Sequence, residues 1–259
     1  MERADKYICS KTGISRKEIR DIFKNGKIII NGIVIKDPAF KVNPAQDCVL
    51  ADGIKLSYRD KTYIMLNKPD GYVCSTRDGR SETVISLVPQ QMYNKDLFPA
   101  GRLDKDSRGF VFITDDGDLA HRMLSPKKHV AKYYLVRLAS DYKESYESFF
   151  EEGIRIGEDE ICLPARVRGM PGQPRYAFVE LYEGKFHQVK RMFESVENSV
   201  EMLFRTQIGN LSIDVELGVG ECLEMLHKDV ENLTTSSDFF ESFERTKEKF
   251  WAYLINNKL

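Results

Sequence analysis

Residues 100–110 read AGRLDKDSRGF, and within them Arg102, Asp104, Lys105, Asp106 and Arg108 crowd into seven positions between Gly101 and Gly109. The apolar run FVFITDDG begins at Phe110. A carboxylate held among cations at the mouth of an apolar strand suits general acid–base or nucleophilic chemistry. Two other stretches offer partners. AKYYLV, residues 131–136, sets two tyrosines side by side in a strand pattern, so alternation sends one to each face. EGKFHQVKRMF, residues 183–193, leaves a strand through Glu183-Gly184 and enters a helical pattern bearing Lys185, His187, Lys190 and Arg191. A cation from that stretch, set across a cleft from a carboxylate, would hold the acid ionised. Taken singly, these residues read equally well as a turn-capping Asp104, a core tyrosine and solvent-facing cations at 190 and 191. Spacing along the chain does not by itself bring the three stretches together.

The elements that would have to position them fall into segments. ADKYICSKTG, residues 4–13, predicts a helix closed by Gly13. ISRKEIRDIFKNG, residues 14–26, predicts a second helix with Ser15 as N-cap and Glu18 completing a capping box. Ile14, Ile19, Ile22 and Phe23 mark its apolar side, and Arg16, Lys17, Arg20, Lys24 and Lys27 fill much of the rest. KIIINGIVIKD places Asn31-Gly32 between β-branched runs, a hairpin signal. This compact, basic αα-β unit is expected to span 1–58. A larger unit, 59–231, is dominated by strands such as TYIMLNK, GFVFITDDG, AKYYLV and YAFVELY, with TVISLVP among the pieces and helices such as KESYESFFEEG intervening irregularly. That pattern predicts an α+β fold on a mixed, mainly antiparallel sheet with flanking helices. The polar stretch NLTTSSD leads into a tail, 232–259, whose Phe239, Phe240, Phe243, Phe250, Trp251 and Leu254 fall roughly on one helical face. Packing back on the main unit is the expectation; docking of a partner is the alternative.

Composition is ordinary, with 42% hydrophobic and 31% charged residues and a formal net charge of -1. The charge is unevenly spread: residues 1–56 carry eleven Lys/Arg against seven Asp/Glu, and from Asp229 onward six acids outnumber four bases. A locally basic helix suits a polyanionic partner, although a solvated surface carries the same signature. Five scattered cysteines without a CxxC imply free thiols and a reducing compartment. Four histidines without paired ligand spacing argue against zinc. The charged N-terminus predicts no signal peptide, and no run approaches the roughly 20 apolar residues of a membrane span, so a cytoplasmic protein is expected. No GxGxxG, GxxxxGK[ST] or GxSxG pattern occurs.

GRLDKDSRGFVFITDDGDLAHRM resembles the catalytic motif of the pseudouridine synthases that act on small- and large-subunit ribosomal RNA. LNKPDGYVCS resembles that family's opening strand and turn, and VAKYYLV and EGKFHQVKRMF its second and third active-site motifs, in the right order. DKYICSKTGISRKEIRDIFKNGKIIING resembles the S4 RNA-binding domain often fused to these enzymes. The resemblance implies that Asp104 is the essential aspartate and that Arg102 contacts RNA beside the flipped nucleotide. Tyr134, rather than Tyr133, would stack on the uracil; the family more usually has threonine at the Tyr133 position. Lys190 would be the basic residue paired with the aspartate, with Arg191 its substitute if the register slips by one. Departures are small: Ser107 where threonine is frequent, Asp115 where asparagine is. In the S4-like unit Arg16, Lys17, Arg20, Lys24 and Lys27 would contact phosphates, with Lys6 and Asn31 as weaker candidates. No metal and no cofactor is implied. The implied partner is ribosomal RNA, free or in an assembling particle, bound by a monomer without membrane association. GKFHQVKRMF resembles the small-subunit enzymes more than the large-subunit ones. A large-subunit enzyme and a non-catalytic assembly factor on the same fold are the alternatives.

Overall fold

The computed structural model describes residues 1–56, 61–125, 130–158, 160–257 and 259, so the boundary expected at 58 lies outside the described residues. The chain divides into two compact units, Met1–Thr62 with Val88–Phe98, and Tyr63–Leu87 with Pro99–Leu259. Residues 88–98, placed in the larger unit by sequence, thus belong to the smaller one. Their contacts explain it: Gln90 Nε2 donates to the Thr12 carbonyl at 2.9 Å and Lys95 N to the Ser10 carbonyl at 3.2 Å. The tail, 232–259, is part of the larger unit.

In the smaller unit, β1 (Glu2–Arg3), α1 (Ala4–Thr12) and α2 (Arg16–Lys24) precede β2 (Ile28–Ile30), β3 (Ile33–Val34), β4 (Lys41–Val42), β5 (Val49–Ala51) and β6 (Ile54–Leu56). α1 ends on Gly13 at φ +70°, and Ser15 and Glu18 form the reciprocal capping box of α2. Asn31 and Gly32 are both left-handed, at φ 51° and 80°, as a two-residue hairpin turn of the primed type requires. The strands run β3-β2-β5-β6, all antiparallel. Ile8, Ile19, Phe23, Ile28, Val42 and Val49 are fully buried in a core of this unit's own.

The larger unit contains β7 (Tyr63–Lys68), β9 (Arg108–Thr114), α3 (Gly117–Leu124), β10 (Lys132–Leu138), α4 (Tyr146–Glu152), β11 (Arg166–Met170), β12 (Gln173–Leu181), α5 (Gln188–Glu194), β13 (Val200–Ile208), β14 (Leu211–Ser212) and β15 (Cys222–Glu224). β8 (Phe98–Ala100) lies where the chain re-enters this unit, and α6 (His227–Val230), α7 (Phe239–Glu248) and α8 (Phe250–Asn256) close the chain. The sheet runs β11-β12-β10-β13-β9-β7-β15. Within that order only the β13–β9 pair is parallel, giving the mixed, mainly antiparallel sheet that the strand pattern predicts. Val84–Leu87, grouped with the strands by sequence, is a single 3₁₀ turn reached after one bridge from Thr83 to Val73.

β10 lies near the middle of the sheet and separates its two tyrosines. Tyr133 is fully buried, stacks on Phe178 at 5.6 Å, donates to Glu180 at 2.7 Å and accepts from Ser237 Oγ at 2.8 Å. Ser237 leads into α7, whose Phe239 and Phe243 pack against Phe178. Phe250 and Tyr253 of α8 are also buried, whereas Phe240 and Trp251 are exposed. The expected single apolar face is thus two helices, with Phe240 and Trp251, two of the five aromatics named there, on the solvent side.

Candidate active site

Asp104 sits in the loop between β8 and β9, and that loop is held by its backbone. Lys68, at the end of β7, is fully buried, and its ammonium donates to the carbonyls of Pro69 (2.9 Å), Lys105 (3.0 Å) and Ser107 (2.7 Å). These three bonds use every donor the group has. Burial pushes its pKa down to about 8. Arg205 of β13, buried opposite Tyr134, donates from Nε to the Phe110 carbonyl at 2.7 Å and from Nη1 to the Arg102 carbonyl at 3.4 Å. Cys74 Sγ accepts from Leu103 N at 3.3 Å. Carbonyls and amides on both sides of Asp104 are therefore engaged while its carboxylate stays free of them.

An imidazole and an ammonium face that carboxylate at longer range. His187 Nε2 stands 3.7 Å from Oδ1 and Lys190 Nζ 3.8 Å from Oδ2. Neither distance is a hydrogen bond. The close partner of Lys190 is Asp106, at 2.6 and 2.7 Å from its two oxygens. The Lys190–Asp104 ion pair expected from the resemblance is present at 3.8 Å, while the short hydrogen bonds of the ammonium go to Asp106, two residues further along the loop. Burial works against ionisation of Asp106, but the bonds and charge of Lys190 hold it below the usual carboxylate range. His187 has a left-handed backbone, φ 49°, and its ring stacks on Phe186 at 3.9 Å between centroids. Phe186 itself is 71% exposed.

Arg102, Asp104, Tyr134 and His187 line one hollow of about 180 Å³, with apolar walls from Leu181 and Leu203. Arg102 and Asp104 from one of the stretches singled out by sequence meet Tyr134 from another here, and Lys190 is not among the lining residues. Arg191 does not join them. One residue past Lys190 it is turned about 100° around α5, and its guanidinium pairs with Glu160 at 2.7 Å and donates to the Ile156 carbonyl at 2.6 Å. A larger hollow, about 490 Å³ beside α4, is lined by Lys143, Tyr146, Phe149 and Arg155 and shares no residue with this cluster.

Sequence reasoning gave no role to Lys68 or Arg205. Lys68 lies inside the LNKPDG stretch, and Arg205 is a lone cation inside the apolar strand VEMLFRTQI. A cation in an otherwise buried run is itself the signal, since such groups are almost never buried without partners. In the smaller unit Lys6, Arg16, Lys17, Arg20 and Lys24 are exposed. Lys27 pairs with Asp52 at 2.8 Å. Asn31 also serves the hairpin: its side-chain amide donates to Asp47 and accepts from Cys48 N, both at 2.9 Å. Among the described residues no group of three His, Cys, Asp or Glu could hold a metal ion, and no helix is long and apolar enough to cross a membrane.

Comparison with known proteins adds three findings. The model of RNA pseudouridylate synthases matches residues 62–195, and that of the S4 domain residues 2–48. A ribosomal small subunit pseudouridine synthase A of Vibrio cholerae is 38% identical over 232 residues, covering 89% of this chain and 99% of the relative. Its namesake in Escherichia coli is 36% identical over 230 residues, covering 88% and 98%. A crystal structure of a pseudouridylate synthase superposes with a TM-score of 0.63 at 33% identity, covering 90% of this chain and all of that one.

Proposed function

The chain belongs to the RNA pseudouridylate synthase family, and on that premise we propose that it isomerises one uridine of small-subunit ribosomal RNA to pseudouridine, as a cytoplasmic monomer. The observation that carries the reading is the meeting of Asp104, Tyr134 and Arg102 on one hollow, with His187 and Lys190 at 3.7 and 3.8 Å from the carboxylate.

The reaction breaks the N1–C1′ bond, turns the uracil and rejoins it through C5. Every atom and electron stays within one nucleotide, so neither an oxidant nor a hydrolytic water enters, and no cofactor is needed. A stacked base is out of reach, so the uridine must be everted into the hollow. Tyr134 offers the receiving ring, with stacking worth roughly 1–3 kcal/mol. Arg102 meets the backbone beside the everted nucleotide. Asp104 assists departure of uracil as an anion, by bonding to the sugar or by removing a proton from it. Both routes need an ionised carboxylate with free lone pairs. Lys190 places a positive charge 3.8 Å from one of the carboxylate oxygens without taking a hydrogen bond there. As C5 joins C1′ any Asp104–C1′ bond breaks; C5 then gives up one proton and N1 takes one up, so the net change is an isomerisation, and this reading assigns the proton relay at C5 to the Tyr134 hydroxyl. The S4-type unit grips RNA backbone through Arg16, Lys17, Arg20 and Lys24, with Lys6 beside them and Lys27 once released from Asp52.

The test is incubation with small- and large-subunit rRNA transcripts, then mapping of pseudouridine by carbodiimide adduct and primer extension. The small-subunit transcript should carry one new adduct, and Asp104→Asn should abolish it while RNA affinity is retained. Modification confined to the large-subunit transcript would reassign the substrate. RNA binding without any adduct would mark a non-catalytic factor on this fold.

A further inference from the structure

Lys190 is offered two carboxylates and takes only one. Its ammonium is 2.6 and 2.7 Å from the oxygens of Asp106 and 3.8 Å from the nearer oxygen of Asp104. Distance treats the two effects of a cation differently. Coulomb attraction falls only as the inverse of separation, so moving from 2.7 to 3.8 Å retains about 70% of it. A hydrogen bond is lost outright over the same interval, and with it the claim on an oxygen lone pair. An ammonium bonded directly to Asp104 would blunt the group that must attack or deprotonate the ribose.

We propose that Asp106 is a positioning residue for the isomerisation: it holds Lys190 off Asp104, so that Asp104 feels the cation's field while both of its oxygens stay free for the sugar. The inference rests on the functional reading above. Asp106 has no evident part in folding, since its side chain is 64% exposed and its bonds run to Lys190. The titratable and charged groups facing the cluster are His187 and Lys190 from around α5, Arg102 and Lys185 on the cavity side, and Lys68 and Arg205 beneath the loop.

Asp106→Asn keeps the shape and removes the charge, releasing Lys190 toward Asp104. Measured beside wild type on the rRNA transcript, its kcat should fall about tenfold or more, because a charge-assisted bond on the reacting carboxylate must now break on the way to the transition state. KM should stay level or fall, since one negative charge facing RNA has gone. The acid limb of kcat should move to lower pH, because the cation now sits closer to Asp104. In a Lys190→Met background the same substitution should change kcat by less than about twofold, as expected when one residue acts only through the other. A purely local structural defect would move neither the acid limb nor depend on Lys190. Undiminished kcat in Asp106→Asn, or an equal loss in the Lys190→Met background, overturns the inference alone. A wild type that forms no pseudouridine overturns the functional reading, and this inference with it.

Discussion

Tyr133 and Tyr134 are neighbours in the chain and strangers in the fold. Alternation along β10 sends Tyr133 into a fully buried bond with Glu180 and Tyr134 to the hollow that holds Asp104. The proton chemistry assigned to Tyr134 is separable from its stacking. Tyr134→Phe should bind rRNA as wild type does and form pseudouridine about a hundredfold more slowly, the size of effect typical of losing one general acid or base. Single-turnover mapping against equilibrium binding reads the two quantities apart; a Phe variant at wild-type speed would leave Tyr134 only its ring. That Asp104, Tyr134 and Arg102 would share one hollow was legible from an ordered set of motifs. That the short hydrogen bonds of Lys190 would go to Asp106 was not. Asp104 and Asp106 differ by two positions in the chain, and only the seating of α5 against the loop decides which of them the ammonium reaches.

At the level of elements, the site depends on the parallel pairing of β9 with β13, where Arg205 lies opposite Gly109. Gly109 has φ +95°, and a Cβ there would stand 2.5 Å from the Arg205 carbonyl oxygen and 2.9 Å from its nitrogen. Both offending atoms are backbone, so neither can swing aside. Gly109→Ala should therefore cost about 2–4 kcal/mol in urea unfolding, combining left-handed strain with a clash at a strand pair. A loss below about 0.5 kcal/mol, the range of ordinary surface substitutions, would show that the strands can part freely. Local elements were readable because their signals are local: Ser15 with Glu18, Asn31 with Gly32, Gly13 after α1. The order of strands was not, because β9 meets a strand about ninety residues later through a close approach that only glycine permits. Residues 88–98 escaped for the same reason, since their hydrogen bonds run back to Ser10 and Thr12.

On the scale of the whole molecule, two cores share the work, one beneath a basic helix and one beneath a sheet. Four exposed cations on or beginning α2, namely Arg16, Lys17, Arg20 and Lys24, supply charge without sequence preference. Replacing all four by glutamine should weaken rRNA binding and flatten the plot of log affinity against log salt by about 3, near 0.7–0.9 for each phosphate left without its cation. An unchanged slope would place those charges off the RNA. The bond from Ser237 to Tyr133 spans 104 residues, and it bears on how the protein is born. A ribosome delivers the chain from its N-terminus, so β10 emerges long before the serine that caps the buried side of its first tyrosine. Until that serine appears, the strand bearing Tyr134 lacks its rear brace. Translation that stops short of position 237 would leave the buried Tyr133 hydroxyl without its Ser237 donor and Phe178 without the aromatic cover of the helix that follows.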